Sequence, residues 1–358
     1  MCLRFLALFV IWSFVGVSSA SYVCPTTHIT KTFGIVGTVP TGASSPMRVP
    51  AGQSCTYTFD VPSGFALKIQ ITTDYEMSPG DGLMFDGYYV LPGTVDELKY
   101  AMDPHTTLNV VSITGNLTFL AKYEYIDLSK YRQVVKPTGA YFNASLEPNT
   151  YYTIKASTNT DQVNLRYGSL DTDIAGDSVN DVFIFDGSDI FNSKYVGRLS
   201  KVFRRHYEYD SSSSTLTLIN LYNSHSDSVF LGNDASVTDP MDFYCLLVVD
   251  PSKPIVHHMD LTTEPTRMPD AYYTVICNGC ASFTIDYLMF DDHLDFEPAD
   301  PNGYISVQKM TPTRRLPTFV TYPYSTNNNG SFPQRITAPM ATFHLHKATA
   351  NFKVTALV

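Results

Sequence analysis

A short apolar run that opens on aspartate and closes on Asp-Gly occurs twice in this chain, 100 positions apart. The copies read Asp81-Gly82-Leu83-Met84-Phe85-Asp86-Gly87 and Asp181-Val182-Phe183-Ile184-Phe185-Asp186-Gly187. Self-similarity at this period predicts tandem modules of about 100 residues. A strand that runs into an Asp-Gly turn predicts that the modules are built from sheets. Elsewhere Phe65, Leu67, Ile69 and Ile71 alternate with Ala66, Lys68, Gln70 and Thr72, one face for a core and one for solvent. Leu117, Phe119, Ala121 and Tyr123 repeat the device. So do Tyr152, Ile154 and Ala156, then Leu216 and Leu218, then Phe343 and Leu345, and finally Phe352, Val354 and Ala356. No window of 12 or more residues carries a helical stripe, and turn residues gather at 62–64, 78–82, 211–214 and 327–330. Short strands at this density predict an all-β chain of sandwiches.

The N-terminus predicts the compartment. Arg4 supplies a positive charge, Phe5 to Val17 is an apolar stretch too short to span a bilayer, and Ser18-Ser19-Ala20 offers small residues at a cleavage point. Residues 1–20 read as a signal peptide and the mature chain as secreted. Trp12 and Cys2 leave with that peptide. Three sequons follow, at Asn116, Asn143 and Asn329, each a candidate glycosylation site.

Five cysteines stay in the mature chain. Cys24 and Cys55 bracket the first strands and are expected to bridge in an oxidising compartment. Cys277 and Cys280 form a C-x-x-C that can be a local disulfide, a redox pair or half a zinc site, while Cys245 is left over and can link to one of that pair. Charged residues make up only 16% of the chain and aromatics 13%, a strand-rich bias. The formal net charge is −10, which argues against a partner bound by neutralising nucleic-acid phosphates. Arg204-Arg205 and Arg314-Arg315 read as ordinary exposed positions.

Matching equivalents along the chain places three modules after the signal peptide: 21–128, 129–250 and 251–358. The second is read as closing with the strand Phe243 to Val249. In the third, Gly303-Tyr304-Ile305-Ser306-Val307 is the weaker equivalent of the repeated strand. Each module is large enough for its own core.

Cys24 and Cys55, Tyr57-Thr58-Phe59, Val61-Pro62-Ser63-Gly64, the strand Phe65 to Thr72, Glu76, and Asp81 to Gly87 together resemble the opening half of a CUB domain. More closely, they resemble the CUB-like region of nematode secreted proteins. The resemblance implies tandem CUB-like jelly-roll β-sandwich modules that bind an extracellular protein or a glycan, a microbial surface among the partners. It also implies a role in innate immune or stress responses. Many CUB modules hold calcium through a Glu before the repeated strand, the Asp that starts it and an Asp in a late loop. Oxygen ligands of this kind suit a hard cation. Glu76 and Asp81 match two of these roles in the first module, and Asp173, Asp181 and Asp227 match all three in the second. From Asp to Asp-Gly is five residues here against six in the family's calcium pattern, which turns the first carboxylate to the other strand face. The alternative role for such aspartates is to bond backbone at turns and strand ends.

No Gly-x-Ser-x-Gly, His-Glu-x-x-His or phosphate loop is present. His344 and His346 share one strand face at a spacing that can ligate a metal, and His257-His258 are adjacent, but such histidines are commonly surface residues. Asp291-Asp292 could pair as glycosidase acids, in a chain where acids are plentiful. The sequence therefore reads as a secreted, non-catalytic binding glycoprotein. A glycan-binding sandwich, a sandwich-fold hydrolase or a structural matrix component are the alternatives.

Overall fold

The computed structural model describes residues 22–76, 80–168, 182–202, 208–222, 228–241, 243–249, 255–259, 270–290, 302–312, 318–324 and 329–357. Residues 1–20, with the expected signal peptide, lie outside them. So do Arg204-Arg205, Asp291-Asp292 and Arg314-Arg315. The chain divides into two compact units, one of Met1–Val61 and Leu67–Ile126, the other of Pro62–Ala66 and Asp127–Val358.

The first unit is built from β1 (Ile29–Thr30), β2 (Val36–Val39), β3 (Met47–Arg48), β4 (Gln53–Asp60), β5 (Phe65–Asp74), β6 (Gly82–Phe85), β7 (Tyr88–Val90), β8 (Val95–Ala101), β9 (His105–Ser112) and β10 (Thr118–Asp127). They form one sheet in the order β1-β4-β9-β6-β7 and another in the order β2-β10-β5-β8, with β3 also on β10. Alternation explains the facing surfaces. Leu67, Ile69 and Ile71 are fully buried while Gln70 is exposed, and Tyr57 and Phe59 of one sheet meet Phe119 and Tyr123 of the other edge-on. Each such large apolar side chain contributes about 1.5–3 kcal/mol on burial. The expected turn is present: Asp86 and Gly87 both have positive φ, and Phe85 pairs directly with Tyr88. That is a two-residue hairpin whose handedness matches the twist of its strands.

The second unit holds two further sandwiches. One comprises β11 (Arg132–Pro137), β12 (Tyr141–Asn143), β13 (Thr150–Lys155), β14 (Val163–Gly168), β15 (Val182–Asp186), β16 (Lys194–Arg198), β17 (Glu208–Asp210), β18 (Thr215–Asn220) and β19 (Val229–Asp234). The other comprises β20 (Phe243–Val249), β21 (Ile255–Met259), β22 (Asp270–Cys277), β23 (Ser282–Phe290), β24 (Tyr304–Lys309), β25 (Thr318–Pro323), β26 (Gln334–Ile336), β27 (Met340–His346) and β28 (Ala350–Leu357). Their sheet orders are β11-β13-β18-β15-β16 with β12-β19-β14-β17, and β20-β22-β27-β24-β25 with β21-β28-β23-β26. Strand for strand these repeat the order of the first unit. The repeated motif occupies the same place each time, since β6, β15 and β24 are all fourth in the five-stranded sheet. Each sandwich fills its own core from both sheets.

The structure differs from the sequence reading in two places. The strand Phe243–Val249, expected to close the second module, opens the third sandwich: it pairs in parallel with β22 along its whole length. Its apolar run carries no mark of which sheet it joins. The equivalent opening strands β1 and β11 also pair in parallel, with β4 and β13. The second difference is burial on both faces of β13, β14 and β19, where alternation predicts one wet face. The loop after β15 covers β13, with Ser188 O accepting from Gln133 and Thr153 and with Phe191 against Tyr151. The outer face of β14 and β19 is covered by the third sandwich, where Val229 and Leu231 pack with Tyr244, Leu246, Val248, Ile276 and Met340.

Candidate functional site

Of the expected calcium positions, Glu76 and Asp81 fall within the described residues. Asp81, at the start of β6, reaches the loop after β9, as the resemblance implies. What it meets there is a set of donors: its Oδ1 accepts the backbone N–H of Ile113 at 2.5 Å and of Thr114 at 2.9 Å, and its Oδ2 accepts the Thr114 hydroxyl. These hydrogen bonds clamp the loop to the strand. Glu76 is exposed. Asp173, Asp181 and Asp227 lie outside the described residues. Asp186, which ends β15, accepts the N–H of Ser212 at 2.8 Å and the hydroxyl of Ser213 at 3.4 Å, so both motif copies use an aspartate as a loop acceptor.

Cys24 is bonded to Cys55 and Cys277 to Cys280. The second bond closes the turn between β22 and β23. Cys245 is a free thiol whose side chain packs against the third core, so neither the zinc reading of C-x-x-C nor a Cys245 cross-link describes this structure. Asn116 is exposed and accepts from Arg48 at 3.0 Å. Asn143 accepts both the N–H and the hydroxyl of Ser145, the third residue of its own sequon. Asn329 opens a short 3-10 turn, Asn329–Ser331.

Two clusters join residues far apart in the sequence. In the first unit, Asp60 at the end of β4 receives Nδ1 of His28 and Nδ1 of His105, each 3.0 Å from Oδ1. In the third sandwich, Asp270 receives His344 Nε2 at 2.7 Å and His346 Nδ1 at 2.8 Å, again on one Oδ1. The spacing of His344 and His346 was legible; their carboxylate lies more than 70 residues away and is brought in by the pairing of β22 with β27. Burial disfavours the charged form of Asp270, but hydrogen bonds from His346 and His344 outweigh it and hold the carboxyl below its usual range. The first unit also has an open groove of about 380 Å³ lined by Val36, Thr38, Lys68, Gln70, Lys122, Tyr123 and Glu124 among others, which carries side chains of both charges.

Residues 19–129 match the CUB-like domain family, a span that coincides with the first sandwich. Solved structures similar to the chain include the CUB1-EGF-CUB2 domains of rat MASP-1, at 9% identity and a TM-score of 0.22 over 92% of this chain and 99% of that one. The CUB1-EGF-CUB2 domain of human MASP-1/3 follows at 12% identity and 0.22, over 90% and 100%. The full extracellular region of zebrafish Gpr126/Adgrg6 gives 9% and 0.24, over 94% and 53%. No curated protein matches the chain. No helix among the described residues is long and apolar enough to cross a membrane.

Proposed function

We propose that this protein is a secreted, non-catalytic binding glycoprotein that engages an extracellular protein or a glycan, with a role in innate immune or stress responses. The observation that carries the reading is the match of residues 19–129 to the CUB-like domain family, whose members are typically extracellular binding modules. Two disulfides fit an oxidising compartment. The N-terminal signal pattern and the sequons at Asn116 and Asn143 point the same way. Saturable binding to an array of glycans, bacterial surfaces or extracellular proteins is expected. Turnover of polysaccharides across a substrate panel, with no saturable binding, would favour a hydrolase instead.

Calcium belongs to this reading in the second sandwich, through Asp173, Asp181 and Asp227. Glu76 and Asp81 are the weaker pair, because Asp81 is already spent on three donors. Adding calcium to chelated protein should raise the melting temperature, and Asp227→Ala should remove that rise. An unchanged wild-type melting temperature ends the calcium part and leaves the binding proposal standing.

A further inference from the structure

The third sandwich carries a constellation that the binding proposal does not use. Asp270 opens β22 and stands directly opposite His346 on β27, while Tyr272 stands opposite His344. On the other side of β27, β24 sets Tyr304 opposite His346. The period of two sends Phe343 and Leu345 into the core and both imidazoles to the outer face. There the three potential ligand atoms lie within 4.8 Å of one another.

The rings are held in place. Tyr272 stacks on His344 with centroids 4.3 Å apart and planes 2° apart, and Tyr304 stacks on His346 at 5.1 Å and 25°. All three side chains are partly buried: 16% exposed for His344, 28% for His346 and 30% for Asp270. All three also sit on paired strands of one sheet, so their spacing is fixed by the hydrogen-bond ladder.

The geometry points to a site for a borderline divalent transition metal, Zn²⁺ being the best match, ligated by His344 Nε2, His346 Nδ1 and a carboxylate oxygen of Asp270. Two imidazoles and one carboxylate suit zinc and its neighbours, whereas calcium takes six to eight oxygens. As the ion enters, each neutral imidazole takes the tautomer that leaves its inward nitrogen free, and the ion replaces the two hydrogen bonds that now end on Oδ1. Three protein ligands leave a fourth tetrahedral position for water or for a donor atom of a bound partner. The His28, Asp60 and His105 cluster has the same residue types, but its imidazoles are 56% and 73% exposed and contact each other edge-on at 6.3 Å rather than stacking on tyrosines. It is the internal control.

The test uses full-length, untagged, chelator-stripped protein titrated with Co²⁺, read by its visible absorption, and then with Zn²⁺ in competition. One tight equivalent is expected, weakened at least tenfold by His344→Gln or Asp270→Asn and unchanged by His105→Gln. Zn²⁺ should also protect His344 and His346 of the wild type from diethylpyrocarbonate, mapped by mass spectrometry, which needs no variant to fold. Stripped protein that takes up neither ion, an equivalent lost in His105→Gln but kept in His344→Gln, or no protection of His344 and His346 would each overturn the assignment.

Discussion

The guanidinium carbon of Arg166 lies 4.9 Å from the centre of the Tyr244 ring, so a strand of the second sandwich shares a buried cation with a strand of the third. Arg166 also donates to the carbonyl of Tyr244 at 3.0 Å and pairs with Glu208. The Tyr244 hydroxyl continues the network to Asn233, and through Thr274 to Thr342. Removing one member of a buried pair leaves the other uncompensated. Because Glu208 is only partly buried, Arg166→Met should cost about 1–3 kcal/mol in denaturant unfolding, and adding Glu208→Gln should recover part of it. Equal stability of the single and double variants would show that the pair is not coupled.

The same contact depends on a missing side chain. A Cβ on Gly168 would stand 2.9 Å from Leu246 Cβ and 3.1 Å from a methyl of Val248. Gly168→Val overpacks the joint between β14 and β20 and should destabilise the chain by roughly 1–3 kcal/mol. An unfolding midpoint equal to that of wild type would contradict this packing.

The Cys24–Cys55 bond closes a loop across a sequence separation of 31. Loop-closure entropy for that length amounts to about 3–4 kcal/mol. The Cys24→Ser/Cys55→Ser variant should lose stability of that order, measured by thermal or denaturant unfolding. Replacing Cys277 and Cys280, whose loop is only a turn long, should lose less.

Burial pushes the Cys245 thiol up to about 11, against smaller opposing effects of the Arg166 charge and the Leu246 backbone. At pH 8 only about one molecule in a thousand is then thiolate, the reactive form. Iodoacetamide should label Cys245 slowly in the native protein and far faster in guanidinium. Similar rates in the two states would place the thiol in solvent.

Acid should loosen the second sandwich through Asp161. Desolvation opposes its ionisation, but hydrogen bonds from the Ser236 hydroxyl at 2.6 Å and from the N–H groups of Ser236 and Gln162 outweigh it and lower its pKa. A lowered folded-state pKa stabilises above the unfolded value near 4, and that stabilisation fades as pH falls through the folded value. The melting-temperature gap between wild type and Asp161→Asn should be widest near neutral pH and should shrink below about pH 4. A constant gap from pH 7 to pH 3 would remove Asp161 from the acid response.

Local features were the readable ones. The alternation of Phe65 to Thr72, the Asp86-Gly87 turn and the equivalence of Tyr304–Lys309 with the repeated strand all follow from neighbours in sequence. Pairing over distance was not readable. Phe243–Val249 looks the same whether it ends one sandwich or begins the next, because its parallel partner appears only after an intervening strand in the opposite sheet. Burial of Tyr151 and Arg166 comes from a loop and a neighbouring sandwich that alternation within one strand cannot register. For the same reason the sequence showed His344 and His346 but not Asp270. Asp81 was legible as a charged strand end, while the donors it meets depend on how the Ile113–Thr114 turn folds onto it.

In all three sandwiches the last strand to be synthesised, β10, β19 or β28, is an interior strand of the sheet it joins. On the ribosome that sheet exists as separate fragments until its final strand emerges. For the first sandwich, synthesis from β2 to β10 spans roughly five to eighteen seconds at ordinary elongation rates. Completion must then proceed sandwich by sandwich from the N-terminus. A stall or premature stop within a final strand leaves two bare strand edges in one domain, the state most open to pairing with other chains.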